Sequence, residues 1–261
     1  MSLSGYKRLL GQMGRDGVLL LGARMALTAA RALSGVVVPI YLALIGYSAV
    51  RIGVLFLLAG LVSAGMSALT GLVADRIGRK PFLVGLPLLV AGAACTFAFT
   101  RSAAALYISA SLGSFGRGTG TGGGTVGPYQ PAASAVQAGL TPRGQRNQVF
   151  GLFSSASMAG AVIGSVLAEM AEMPGAVSGL GLGSLAAYRP TFAVMALLGI
   201  VAAALALPIR EPARRAGKAP PGAWGLRGGG RRLSAPSRSV VWRLLITKGL
   251  VGTSAGLFAP F

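Results

Sequence analysis

Four basic residues lie inside long apolar stretches of this sequence, and their placement suggests that they bind an anion. They are Arg24, Arg31, Arg117 and Lys248. A cation near the centre of a bilayer costs about 2.5–3.5 kcal/mol on insertion scales, so it is expected to face a wet cavity or a counter-charge. The chain has only five acids, and none lies in the middle of an apolar stretch. The four cations are therefore candidates for lining a cavity that accepts an anionic or amphiphilic small molecule.

Arg24 and Arg31 are one heptad apart in the first apolar stretch, so they project from nearly the same face of a helix. Arg31 lies roughly 21 Å along that helix, close to its middle. Cavity lining is therefore favoured for Arg31 over a purely structural ion pair. Arg24 lies nearer the end, where a long side chain could instead extend to the membrane surface.

The composition argues against enzymes, metal sites and cofactors. The chain has no histidine, and its one cysteine, Cys95, lies in an apolar run and is expected to be a small buried hydrophobic residue. Gly118, Gly120 and Gly123 formally spell a dinucleotide motif, which also requires an acid about 20 residues later. Residues 76–168 contain no acid. Close helix packing, or a flexible point in the fourth span, is the better interpretation of these glycines, and no cofactor is predicted.

The apolar stretches themselves predict an all-α polytopic membrane protein. Of the residues, 53% are apolar and 11% are charged, whereas a globular domain carries about 25% charged residues. A crossing of the hydrocarbon core needs about 20 residues. Six stretches meet this length and a seventh begins near the end: residues 17–45, 52–74, 82–100, 103–137, 148–168, 190–209 and 240–261.

The basic residues orient these predicted spans. With a cytoplasmic N-terminus, 17 bases fall on the cytoplasmic side and three on the other, namely Arg51, Arg101 and Arg189. This bias follows the positive-inside rule and predicts a multi-pass protein of the cytoplasmic membrane. The net charge of +19 could suggest nucleic-acid binding, but the bases alternate with apolar stretches and have no interleaved aromatic residues. A secretory signal is also disfavoured, because two arginines interrupt the first stretch.

Four segments follow from the composition. Residues 1–16 form a cytoplasmic N-terminus, residues 17–209 a six-helix bundle, residues 210–239 a basic linker rich in glycine and proline, and residues 240–261 the start of a seventh span. The linker has no apolar periodicity, which is typical of a solvated connector between two units.

Between the second and third spans lies the most specific motif, "GLVADRIGRKPFL" at residues 71–83. It resembles the signature loop of the major facilitator superfamily, roughly G-x-L-A-D-R-x-G-R-[RK]-x-x-L, and it stands at the matching place in the chain. The resemblance implies a conformational gate rather than a substrate site. Its residues are Gly71, Asp75, Arg76, Gly78, Arg79, Lys80 and, from "TPRGQR" at residues 141–146, Arg146.

Other segments also resemble the family, and some of them differ from its usual pattern. Arg146 resembles the family's base that pairs with the signature acid, here Asp75. Arg117 resembles the helix-four arginine, although the glutamine and glycine that often follow it are not cleanly present. Gly160 and Gly164 have the small-xxx-small spacing of close helix contact. The fifth span lacks the proline of the family's antiporter motif, which weakens a specific drug-antiporter assignment.

The resemblance implies a secondary transporter that moves a small molecule by alternating access between two six-helix halves. On this basis the chain holds the first half, the linker and part of helix seven, and its partner would be the missing C-terminal six-helix half. Two alternatives stay open: a non-transporting membrane sensor or assembly protein on the same fold, and an inactive fragment. Neither a nucleic acid nor a metal is an expected partner.

Overall fold

The computed structural model describes residues 3–113, 115, 127–141, 143–172 and 188–210. The chain divides into two units, residues 1–212 and residues 213–261. The described residues all belong to the first unit. The predicted seventh span and the linker beyond residue 210 lie outside them.

The described residues form α-helices and one short 3₁₀ turn, with no strand among them. Helix α1 is the longest and bends at Gly14, which has φ of 65°. The helices are α1 Leu3–Leu44, α2 Ala49–Ile77, α3 Lys80–Phe99, α4 Ala103–Leu112, α5 Tyr129–Leu140, α6 Arg146–Glu172 and α7 Arg189–Ala206.

Local sequence explains where α1 ends and α2 begins. The Gly46 N–H donates to the Ala43 carbonyl at 3.0 Å and the Tyr47 N–H to the Leu42 carbonyl at 3.0 Å. Gly46 has φ of 90°, so this turn is a Schellman motif, in which glycine takes the left-handed position without steric cost. Ser48 then caps α2 by accepting a hydrogen bond from the Arg51 N–H at 3.4 Å.

Within the described residues, five helices are long and apolar enough to cross a membrane: Met13–Leu44, Ala49–Ala74, Lys80–Phe99, Arg146–Met170 and Arg189–Ala206. They correspond to the predicted spans one, two, three, five and six. The predicted fourth span, residues 103–137, corresponds to the shorter helices α4 and α5, and most of the segment between these helices lies outside the described residues.

Contacts between helix ends show that the long helices alternate in direction. At one end, the Asp16 carboxylate accepts a hydrogen bond from the Arg210 N–H at 3.3 Å, and Arg79 donates to the Ala135 carbonyl at 3.2 Å. We call this the basic end, because it also holds the bases of the 71–83 loop. At the opposite end, the Tyr107 hydroxyl donates to the Arg51 carbonyl at 3.0 Å.

Helices α1 and α6 make the closest backbone contact described. A Cβ added at Gly160 would overlap the Met25 carbonyl oxygen, and one added at Gly164 would overlap the Ala29 carbonyl oxygen. Both contacts advance by four residues on each helix, so α1 and α6 run parallel. The glycine pair therefore performs the close packing that its spacing predicts.

Aromatic rings fill the bundle at the end opposite the basic end. The Tyr41 ring of α1 lies 5.1 Å from the Phe192 ring of α7 in an edge-to-face arrangement. The Phe97 ring of α3 lies 5.5 Å from Phe192 and 6.3 Å from Tyr41. These distances fall in the favourable range for aromatic pairs. The cluster joins α1, α3 and α7.

Candidate functional site

Arg24 is held in the interior of the bundle rather than extended to its surface. Its side chain is only 3% exposed, and its Nε donates to the Ser157 hydroxyl of α6 at 2.7 Å. The guanidinium also lies over the Phe153 ring, 5.9 Å from the centroid, within cation–π range. The polar contact and the ring contact together hold this cation between α1 and α6.

Ser157 is oriented to receive that hydrogen bond. Its hydroxyl donates to the Phe153 carbonyl one turn earlier at 2.8 Å, so a lone pair is left to accept from Arg24. On α1, the Thr28 hydroxyl donates to the Arg24 carbonyl at 2.7 Å. Both residues are buried. A short polar layer therefore crosses the apolar contact between the two helices.

Arg31 lies two turns further along α1 and is also buried, with 6% of its surface exposed. It lines a small cavity between α1, α3 and the facing ends of α4 and α5, together with Tyr129. A Cβ at Gly127 would overlap the Arg31 guanidinium, so the backbone at Gly127 lies directly against the charge. Gly127 has φ of 55°, a conformation that a side chain would disfavour.

Tyr129 lies near both arginines. It is 1% exposed, it shares the cavity with Arg31, and its phenol lies close enough to Arg24 to interact with it electrostatically. Its hydroxyl has no hydrogen-bond partner among the described residues. An unsatisfied buried hydroxyl is unusual. Two cations and an available O–H donor in one interior region form a set that can bind an oxyanion.

The sequence reasoning missed Tyr129 and also Gln137, another buried residue of α5 whose side-chain amide lacks a partner in the described structure. The signal was present, because uncharged polar residues inside an apolar span are costly unless they hydrogen-bond. Gln137 lies two turns nearer the basic end than Tyr129, on the same buried face of α5.

At the basic end, the structure brings together the 71–83 loop and the segment around Arg146. The Arg79 guanidinium donates to the Ala135 carbonyl, as described above, and the Arg146 Nη2 donates to the Ala138 carbonyl at 3.5 Å, a long contact. Both carbonyls belong to the last turns of α5, where a helix favours cations. The two arginines thus hold the end of α5 from the α2–α3 loop and from the start of α6.

Gly78 shapes the loop. It ends α2 with φ of 100° and ψ of 164°, and its N–H donates to the Ala74 carbonyl. This conformation is essentially restricted to glycine. The other predicted members, Gly71, Arg76 and Lys80, are exposed. The Asp75 side chain lies outside the described structure, so its pairing with Arg146 remains a prediction.

Two of the four candidate cavity cations, Arg117 and Lys248, also lie outside the described residues, as do Gly118, Gly120 and Gly123. The part of the chain that is described contains no cluster of three or more histidine, cysteine or acidic residues that could hold a metal ion. Cys95 was expected to be buried, but the structure shows it exposed on α3. An apolar run that faces lipid exposes its small residues, which explains the difference.

Comparison with known proteins supplies the family. The profile described as "Major Facilitator Superfamily" matches residues 20–261. The chain is similar to the multidrug resistance protein MdtH of Klebsiella pneumoniae strain 342, 32% identical over 122 residues, which is 47% of this chain and 28% of that protein. MdtH of Shigella dysenteriae serotype 1 is 32% identical over the same length and coverage, and MdtH of Edwardsiella ictaluri is 29% identical over 123 residues.

The alignment spans less than a third of the length of these curated relatives. The family profile, in contrast, covers nearly all of the chain. The described helices, five of them long enough to cross a membrane, agree with the membrane bundle of that family. The chain therefore belongs to the major facilitator superfamily.

Proposed function

We propose that the chain forms one bundle of a secondary transporter that moves an anionic or amphiphilic small molecule by alternating access. The observation that carries the proposal is the burial of Arg24 and Arg31 on one helix, beside the unsatisfied hydroxyl of Tyr129. Buried cations in a membrane bundle are costly and mark substrate pathways by default. The relatives named multidrug resistance proteins support an amphiphilic, drug-like molecule as the substrate class.

Alternating access in this fold places the substrate between two bundles. We infer that the described bundle works with a second six-helix bundle, and that Arg117 and Lys248 contribute further positive charge to the site. The 17-to-3 distribution of bases supports a cytoplasmic basic end, with the N-terminus and the linker on that side of the cytoplasmic membrane.

The signature loop would act as the gate of this cycle. Arg79 and Arg146 hold the last turns of α5, so release of these contacts would free the helix that carries Tyr129. We propose that Asp75 pairs with Arg146 in one of the two states. In Asp75→Asn, ligand binding should then persist while transport falls, because the loop biases the equilibrium between states without touching the substrate. Equal loss of binding and of transport would contradict a gating role.

Binding and flux together test the substrate class. The purified chain is titrated with carboxyfluorescein and, separately, with ethidium, and binding is followed by the thermal unfolding midpoint. Flux of each dye is then measured in proteoliposomes. We expect carboxyfluorescein to raise the unfolding midpoint and Arg31→Gln to remove most of that rise, while Arg31→Lys retains part of it. Arg51→Gln is the control, since Arg51 is exposed at the end opposite the basic end.

Stabilisation by ethidium alone, or an unchanged response of Arg31→Gln to carboxyfluorescein, would refute the anionic substrate class. Flux separates a transporter from a sensor or an assembly protein on the same fold. Saturable binding with no flux, in a sample that also contains the second bundle, would refute transport.

A further inference from the structure

A pocket at the end opposite the basic end is lined by two arginines, although few bases are predicted on that side of the membrane. We call it the end pocket; it is lined by Tyr41, Phe97, Ala98, Phe99, Thr100, Arg101, Arg189 and Phe192. Only three bases of the chain are predicted to lie on this side. Two of them, Arg101 and Arg189, meet at this one pocket.

The two arginines come from different connections, one after α3 and the other at the start of α7. Both are exposed. Neither has a hydrogen-bond or ion-pair partner within the described residues. Like charges brought together repel each other unless an anion lies between them. The start of α7 adds to the positive potential, because Arg189 is the first residue of that helix and a helix N-terminus carries a partial positive charge.

Aromatic side chains also line the end pocket. Tyr41, Phe97 and Phe192 belong to the aromatic cluster described above and are buried. Phe99, at the last turn of α3, is 81% exposed. An aromatic ring exposed at the end of a membrane-spanning helix is suited to the level of the lipid headgroups. Arg101 follows Phe99 by two residues, so it is expected to lie at the level of the lipid phosphates.

We propose that the end pocket binds the phosphate of an anionic phospholipid, with Arg101 and Arg189 on the phosphate and the acyl chains running past Phe99 along α3. Guanidinium groups suit phosphate because they can donate two parallel hydrogen bonds. A diffusing anion would use the two arginines equally well, but it would gain nothing from an apolar contact at the rim. The exposure of Phe99 is what favours a lipid over a soluble anion.

The test measures lipid retention by the full chain in detergent, using native mass spectrometry with added phosphatidylglycerol, phosphatidylcholine or glycerol 3-phosphate. A base at an anionic membrane surface contributes about 1 kcal/mol, so Arg101→Gln and Arg189→Gln should each weaken phosphatidylglycerol binding about fivefold. Because the two arginines share one phosphate, their contributions need not add, and the double variant should weaken binding by more than about fivefold. Replacing both arginines by lysine should restore part of the binding, because lysine keeps the charge.

Arg51→Gln is the matched control, because Arg51 lies at the same end of the bundle and outside the end pocket. Equal weakening by Arg51→Gln would show a general surface-charge effect and overturn the proposal. The proposal would also be overturned if the double variant kept its thermal unfolding midpoint and still retained phosphatidylglycerol. Binding of glycerol 3-phosphate as tightly as the lipid would overturn it as well. The readout does not depend on substrate transport, so it can fail or succeed separately from the proposed function.

Discussion

Substitution of Gly164 by alanine tests the contact between α1 and α6 most directly. The new Cβ would overlap the Ala29 carbonyl oxygen and would lie 2.9 Å from the Ala29 carbonyl carbon and 2.9 Å from the Ala32 Cβ. Carbon atoms prefer separations of about 3.5–4.0 Å, so the helices would have to separate locally by about 0.6–1.1 Å. Backbone atoms of a packed helix cannot move aside as a flexible side chain can.

The expected magnitude follows from two opposing effects. Overpacking of a tight interface typically costs about 1–3 kcal/mol, while replacing glycine by alanine within a helix gains up to about 1 kcal/mol. The separation would also stretch the 2.7 Å bond from Arg24 to Ser157, which lies at the same interface. We expect Gly164→Ala to lower the free energy of unfolding by about 1–2 kcal/mol.

Gly151 on the same helix provides the matched control, since a Cβ there would meet no atom within 4 Å. Gly151→Ala should be neutral or slightly stabilising. The difference between the two variants removes the propensity contribution and isolates the overpacking, about 1–3 kcal/mol. Reversible unfolding in mixed micelles, followed by circular dichroism as the fraction of denaturing detergent rises, measures both. Equal stability of the two variants would refute the close approach of α1 and α6.

Three further predictions use the same unfolding assay. Gly78→Ala should destabilise the protein by about 1–3 kcal/mol because of its backbone conformation, whereas Gly71→Ala, in open space, should not. Gly127→Ala should destabilise by about 1–3 kcal/mol for the same reason, and should also displace the Arg31 guanidinium and reduce anion binding. Ser157→Ala should cost about 1.5–3 kcal/mol, because it leaves a buried charged donor without its acceptor on α6.

Each of these has an outcome that would contradict it. A stable Gly78→Ala would mean that the α2–α3 connection does not need the backbone conformation described. Unchanged anion binding in Gly127→Ala would show that Gly127 does not position the Arg31 guanidinium for binding. For Ser157, a double-mutant cycle with Arg24→Gln should show a coupling of about 1 kcal/mol or more, and additive effects would show that the two side chains do not interact.

The sequence predicted the family and the class of fold because its signals are local. The 71–83 loop is a contiguous motif, and the length of an apolar stretch decides by itself whether a helix can cross the membrane. The prediction of a major facilitator superfamily member, a transporter family rather than an enzyme, is confirmed by the family match. The close packing of α6 at Gly160 and Gly164 could also be predicted, because its signal is the spacing of two glycines within one helix.

The partners of the buried charges could not be predicted, because they depend on which helices become neighbours. Arg24 and Arg31 share one face of α1, yet the first contacts Ser157 of α6 and the second lies against Gly127, before α5. Nothing local to α1 specifies these neighbours. Tyr129 differs in part: its polar hydroxyl inside an apolar span is visible in the sequence, but its burial without a partner depends on which helices become its neighbours.

The bond between Arg24 and Ser157 also has a consequence during synthesis. The two residues are 133 positions apart, and chains are synthesised at about 5–20 residues per second, so roughly 7–27 s separate the appearance of the charge from that of its hydroxyl acceptor. The glycines that seat α6 against α1 emerge later still. Helix α1 must therefore enter the bilayer, or wait beside the insertion machinery, before the surface of α6 that receives it has been made.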